Sequence, residues 1–563
     1  MNKNAQRLAA VVSILLFAVA AVAVNVLLYT KNTRFDLTRD KSLSVSPELE
    51  EIAGRITDAL NVTLYVSPDL PPQLLAPRQT AEDMLRELAS KVPQLRIAAV
   101  AMTNEEEEKR LEELERLGIE PQQMQVMERN QLTVRNVYFH MAFQHLDKTE
   151  VMEIPMAEEF EYKVARAVIR LTMDKRPVVA FIDNSPQKEF FTLASSLERF
   201  GLVDLYEPVV IDASGGKPIF MPPGVSLAVV SAPARLTPRQ MYEIDQTLLS
   251  GVPVVALVGG EDYENQLAMF QDSATAPNFR DLVRHYGVDL RAALVRDWES
   301  SLRTPMEVGR RGGLRLAELS PNPIFPVVIQ ENISGTYPAL RRVQRVLAPL
   351  ASEVALPDPM PEGFRGELLL TTTEAGDTQT TPPFDLQQPA PGAKAPGETR
   401  KVPVAVILEG PFKSFFKRED IPPGEDARRM DDPSLFVRST RYQPPVYRET
   451  AEEGAKLVVI GSPYAFSGQI LQQISNLDPN LASSTVAFLQ NLTETFSVGD
   501  DLTRIRSRRV EVSFLRAGLS EEERGRSRLL GTLAAPVGLA LFGLAWGAAR
   551  RVRLNSLAKE YAR

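Results

Sequence analysis

The chain has 563 residues, 44% of them apolar and 24% charged, with a formal net charge of −8 and a pI near 5.4. The proportions are those of globular protein, the length allows several domains with sizeable cores, and the acidic balance argues against nucleic acid as a partner. The absence of cysteine removes thiol catalysis, thiolate metal sites and iron–sulfur clusters, and fits an oxidising compartment in which cores rather than disulfides give stability.

In chain order, residues 8–29 form an uncharged apolar run after Lys3 and Arg7. As a helix this run is long enough to cross a hydrocarbon layer of ~30 Å. Ala21-Val22-Ala23 has the small-x-small form of a signal-peptide cleavage site, so removal of the run stays open beside its retention as an anchor. Residues 34–174 read as an N-terminal α/β domain. Ser46-Pro47-Glu48 opens a helix over 48–59 with proline in its first turn. Residues 61–66 and 95–100 read as strands, and 80–91 as a helix with Met84, Leu85 and Leu88 on one face. The carboxylates of 105–108 suit a helix start, Leu111, Leu114 and Leu117 form its apolar stripe, and Gly118 stops it. Residues 134–143 and 149–154 predict a hairpin turning at Leu146-Asp147-Lys148. Residues 160–172 predict an amphipathic helix with Tyr162, Ala165, Val168 and Ile169 inward.

From residue 175 the rhythm changes. Short apolar strands at 178–182, 205–211, 227–231 and 252–258 alternate with helices at 191–200, 237–250 and 279–286, and Leu294 and Val295 add a short strand. Strands without polar alternation, separated by helices, predict a mostly parallel sheet covered on both faces, assigned to residues 175–345. Residues 346–400 are rich in Pro, Gly and Thr and read as an exposed loop or linker. In the C-terminal segment, 401–527, strands are predicted at 402–408 and 456–460 and a helix at 485–492, around a charged, proline-interrupted loop over 420–447. A second apolar run, 529–549, has no ionisable side chain, and the tail 550–563 carries Arg550, Arg551, Arg553, Lys559 and Arg563. Positive flanks stay inside, so two transmembrane helices with both termini cytoplasmic are expected. The chain is then a protein of the cytoplasmic (inner) membrane with its bulk extracytoplasmic.

Motifs that carry chemistry are sparse. Gly215-Gly216-Lys217-Pro218 lacks the first glycine of a phosphate-binding loop and ends in proline, so the chain is not itself a nucleotide-driven motor. HExxH and GxSxG do not occur. His140 and His145 lie five apart in or just past one strand and point to opposite faces. No catalytic, metal or cofactor residue is assigned. In parallel sheets ligands bind beyond the C-terminal strand ends, which here are Asp183, Asn184 and Ser185, and Gly259, Gly260, Glu261 and Asp262. Asp183 with Glu261 or Asp262 could form a paired-carboxylate site, or these residues are N-caps and solvated loop positions. Phosphate is disfavoured beside Glu261 and Asp262.

The stretch RFDLTRDKSLSVSPELEEI at 34–52, just past the first apolar run, resembles the auxiliary proteins of ABC-2-type transporters, the gliding-motility auxiliary family. Residues 160–182, 236–258, 282–297 and 456–466, and the closing apolar run before Arg550-Arg551, are similar to the same family. The turn after 178–182 departs from the family's Gly-rich G-x-G-E and reads Asp183-Asn184-Ser185-Pro186-Gln187-Lys188-Glu189. The middle domain resembles amidotransferase-like and flavodoxin-like α/β folds, yet lacks the cysteine nucleophile that amidotransfer requires. The resemblance implies a non-enzymatic, membrane-anchored accessory subunit whose partners are an ABC-2-type permease and its ATPase subunit. The cargo stays unnamed. A stand-alone envelope scaffold, or an envelope hydrolase using strand-end carboxylates, are the alternative readings.

Overall fold

The computed structural model describes residues 44–128, 131–185, 205–232, 235–259, 278–311, 314–341, 343–381, 383–424 and 445–499, together with positions 502, 505, 546, 547 and 550. Helix α1 (Pro47–Gly54) starts where the Ser46 side chain accepts from the Leu49 amide at 3.2 Å, with proline following the cap. Then come β1 (Leu60–Val66), α2 (Pro72–Lys91), β2 (Leu95–Ala101), α3 (Asn104–Lys109), α4 (Leu111–Leu117), β3 (Gln122–Glu128), β4 (Gln131–Val137), β5 (Phe139–His145), β6 (Lys148–Glu153) and α5 (Ala157–Thr172). Strands β2-β1-β5-β6 form one sheet, parallel between β1 and β2 and antiparallel elsewhere. Period-two alternation divides its faces: Val62, Leu64, Met141 and Phe143 join a core with Leu49, Leu85 and Val168, while Tyr65 and Ala142 pack with Leu114. The single helix expected from residue 105 is two. The chain breaks at Arg110 (φ −114°, ψ 14°), which turns Leu111 outward to 52% exposure and leaves Leu114 as the buried leucine of α4.

The second sheet is built from β7 (Val178–Asp183), β8 (Glu207–Asp212), β9 (Val225–Ser231) and, after α6 (Pro238–Leu249), β10 (Val254–Leu257). Helix α7 (Phe279–His285) and strands β11 (Asp289–Asp297), β12 (Ser301–Arg311), β13 (Leu314–Ile329), β14 (Arg345–Leu347) and β15 (Ser352–Ala355) follow. The chain then supplies β16 (Arg365–Thr371), β17 (Gly376–Gln379), β18 (Pro403–Glu409), β19 (Lys456–Ile460), α8 (Gly468–Leu477) and α9 (Pro479–Ser497). The large sheet runs β16-β18-β19-β10-β9-β7-β8. Its parallel part, β8-β7-β9-β10-β19, takes its strands in the chain order second, first, third, fourth, fifth, the doubly wound arrangement with a switch between first and third strands. Val179, Phe181, Val229, Leu257 and Val458 face a core containing Phe488 and Leu492 of α9; Ile182, Val230, Ala256 and Val459 face Ile244, Leu248 and Leu282 of α6 and α7.

Several expectations are corrected here. The fold class is mixed α/β with several sheets; the two flanking transmembrane helices find no support, since among the described residues no helix is long and apolar enough to cross a membrane. The long helices of the described part, α2 and α9, are amphipathic: α2 carries Arg78, Glu82, Asp83, Arg86 and Glu87, and α9 carries Gln490, Asn491 and Glu494. The runs 8–29 and 529–549 lie outside the described residues apart from Trp546 and Gly547, as does the helix expected at 191–200. The Pro- and Gly-rich stretch 346–400 is not a plain loop, because it supplies β15, β16 and β17. The short strand at Leu294 and Val295 is the nine-residue β11, paired with β15 and β17.

Helix α6 shows how the large sheet is sealed. Thr237 and Gln240 form a reciprocal cap at its start, and its polar side is buried as well as its apolar one. Asp245, 0% exposed, accepts from Tyr286 Oη at 2.6 Å, Ser414 Oγ at 2.8 Å, the Phe415 amide at 2.9 Å and Gln246 Nε2 at 2.8 Å. Burial and the Asp245 carboxylate raise the Tyr286 phenol well above its ordinary pKa. Arg239 bonds Glu243 Oε1 and the Pro422 carbonyl, and Gln246 Oε1 accepts from the Arg448 amide at 2.6 Å. The flanks of residues 425–444 are thereby strapped across the helix. Asp245→Ala leaves buried donors without an acceptor, so it is expected to lower stability by about 3 kcal/mol or more. Chemical denaturation reads the loss, with accelerated proteolysis within 411–424; wild-type values for both would refute it.

Candidate functional site

The C-terminal ends of the parallel strands lie side by side. Asp183 of β7 is in register with Asp212 of β8 and Ser231 of β9, and Leu257 of β10 is in register with Ser231 and with Ile460 of β19. Backbone bonding continues one step past the strands: the Asn184 amide donates to Ser231 O at 3.0 Å, and the Ala213 amide to Asp183 O at 2.8 Å. Both first strands end in the same local device. Asp183 Oδ1 accepts from the Ser185 amide (2.9 Å) and Ser185 Oγ (2.6 Å). Asp212 Oδ1 accepts from the Ser214 amide (3.1 Å) and Ser214 Oγ (2.5 Å). An aspartate that bonds the backbone two residues on makes the chain turn. It also turns each carboxylate toward its own loop.

Asp183, Asn184 and Ser185 are brought together and are buried, at 1%, 2% and 5% exposure, and Gly259 is buried at the end of the β10 side of the edge. Gly260, Glu261 and Asp262 lie outside the described residues, and with them the carboxylate pairing considered for Asp183. The edge also contains residues that the strand-end candidates did not include. Lys217 Nζ donates to Asp212 Oδ2 at 2.5 Å at the solvent side. The signal for Asp212 was present as a repeat, Asp212-Ala213-Ser214 echoing Asp183-Asn184-Ser185. At the end of β19, Gly461 packs so closely that a Cβ there would lie 2.2 Å from the Ser352 carbonyl oxygen. Only glycine lets β15 cross at that point, where the Ser352 amide donates to Gly461 O at 2.7 Å. Among the described residues no group of three or more His, Asp or Glu is placed to hold a metal ion.

His140 and His145 are both buried in β5, the first in register with Glu153 and the second with Lys148. Burial lowers the His140 pKa, with Glu153 opposing. A depressed pKa in the folded state contributes stability above the unfolded value of 6.5 and loses it as pH falls through the lower folded value. Replacement by an isosteric neutral residue, His140→Gln, is therefore expected to flatten the fall in melting temperature below pH 6.5. An unchanged pH profile would show that other groups set it.

Asp183 offers a sharper probe of the edge. Asp183→Asn keeps an acceptor oxygen for the turn, whereas Asp183→Ala removes it. The alanine variant should lose about 1–3 kcal/mol more stability than the asparagine variant in urea unfolding. Equal losses would mean that the turn bonds contribute little.

Comparison with known proteins adds the following. The family model described as an ABC-type uncharacterized transport system matches residues 176–492, which span the whole large sheet and more than half of the chain. A second model, a domain of unknown function, matches residues 39–144. Among the curated proteins none matches. Among solved structures, a ThuA-like protein from Bacteroides uniformis is 9% identical and aligns over 59% of this chain and 98% of its own, with a TM-score of 0.28. That score is too low to equate the two folds.

Proposed function

Since this chain belongs to the auxiliary family of ABC-type uncharacterized transport systems, we propose that it is a non-enzymatic accessory subunit bound to an ABC-2-type permease and its ATPase. The observation that carries the reading is the family match over residues 176–492, which takes in all strands of the large sheet. The sequence supports the division of labour: with no complete phosphate-binding loop, ATP hydrolysis falls to another chain. The strand-end turns support it too, because Asp183 and Asp212 hold their own loops by hydrogen bonds, a role in shaping an edge rather than in proton transfer. In this reading the α/β region engages cargo or envelope components while the ATPase and permease supply energy and pathway.

Affinity capture of the tagged full chain after gentle solubilisation tests this. A permease and an ATPase should co-purify in amounts comparable to the chain itself. Recovery of the intact, folded chain without either would overturn the accessory-subunit reading and favour a stand-alone envelope scaffold.

A further inference from the structure

Strands β12 and β13 make a long antiparallel ribbon whose base and outer part differ. The base is held: Leu302, Ile324, Val327 and Val328 are buried, β14 pairs with Val327–Ile329, and Gln388 Nε2 donates to the Thr304 and Ser320 carbonyls at 3.3 and 2.7 Å. Outside that point β13 pairs with β12 alone among the described residues. Two strands by themselves are marginal in water, yet this segment keeps apolar side chains in solvent. Val308 is 50% exposed, Leu316 48% and Leu319 52%. Leu316 and Leu319 are an odd number of residues apart, so they stand on opposite faces of the ribbon.

The charge of this segment runs against that of the protein. Residues 303–319 contain Arg303, Arg310, Arg311 and Arg315 against Glu307 and Glu318, in a chain whose formal net charge is −8. Arg310 and Arg315 are partners in the strand register, and Arg311 adjoins Arg310 in the sequence. Strand addition by another protein is a poor fit, because Pro305 interrupts the donors of edge strand β12 and Pro321 those of β13. A protein groove would cover one face and leave the leucine on the other in water. A lipid headgroup layer surrounds an inserted ribbon on both faces and supplies phosphates to arginines at its end.

We propose that the outer β12–β13 ribbon is a contact for an anionic phospholipid surface, with Val308, Leu316 and Leu319 entering the boundary between headgroups and acyl chains. The positive charge carried by the sequence at positions 310, 311 and 315 selects anionic lipid. The chain's lack of cysteine makes the test local. Full-length Val308→Cys and Leu319→Cys, each labelled with a polarity-sensitive fluorophore, are presented to phosphatidylcholine vesicles with and without phosphatidylglycerol. Lys394→Cys, at an exposed position on another segment, is the reference, and circular dichroism checks that each variant is folded.

The expected result is a blue shift at both ribbon positions with anionic vesicles, little shift with neutral ones, and reversal by high salt. The shift should be lost in the Arg310→Glu, Arg311→Glu, Arg315→Glu triple variant, while the label at 394 stays unshifted. No shift at 308 and 319, an equal shift with neutral lipid, or an equal shift at 394 would each overturn the proposal. A shift at one ribbon face that requires added permease and ATPase would also overturn it, in favour of a protein groove.

Discussion

A parallel sheet has to be covered on both faces, and most of this protein follows from meeting that requirement. Five parallel strands whose side chains are apolar in both directions can exist in water only between two layers of cover. On one side the cover is α6 and α7; on the other, α9 lays Phe488 and Leu492 on the strands. The cover comes from distant parts of the chain. Strand β19 enters the sheet beside β10 some two hundred residues after it, and α8 and α9 follow only then. The chain between β10 and β18 is therefore an elaboration of one sheet, holding the β11 sheet and the β12–β13 ribbon before the fifth parallel strand is reached.

Covering a sheet with helices creates a second constraint, because the outer side of a helix is polar. Where further chain crosses that side, each polar group needs a partner. Helix α6 meets this with Asp245, Gln246 and the Arg239–Glu243 pair, which convert its polar side into a seam for residues 411–424 and 445–452. Glu494 of α9 does the same between the two large cores. It accepts from Tyr162 Oη at 3.0 Å and Gln490 Nε2 at 2.9 Å, with the Tyr206 phenol raised by burial and by the nearby carboxylate. Such buried, bonded polar groups add registry to a contact that apolar packing alone would leave free to slide. The strand-end turns obey the same rule on a smaller scale, since Asp183 and Asp212 bond the amides that the turn would otherwise leave without partners.

The family to which this chain belongs is that of an ABC-type uncharacterized transport system, and the large sheet is the matched region. Features outside the sheet's own needs are where contacts with other components are to be sought. The outer ribbon is the plainest of them, because its exposed leucines join none of the cores formed by the described residues.

The sequence determined by itself those elements whose identity is local. β19 lies at Lys456–Ile460, where an uninterrupted apolar run predicts it; Ser46 and Gly118 mark helix ends that the structure shares. At the site, Asp183, Asn184 and Ser185 were legible because strand end and turn chemistry adjoin in the chain. Asp212 was legible only as a repeat of that pattern. Other features depended on partners far away in sequence. Leu294 and Val295 look like a short strand until β15 and β17 pair along β11, and the stretch 346–400 looks like linker because its strands gain their apolar partners from elsewhere. The polar side of α6 reads as solvent-facing until a strap from beyond residue 410 lies on it. Local propensity records what a segment can become next to water; long-range pairing decides what it lies next to, and only the tertiary structure holds that information.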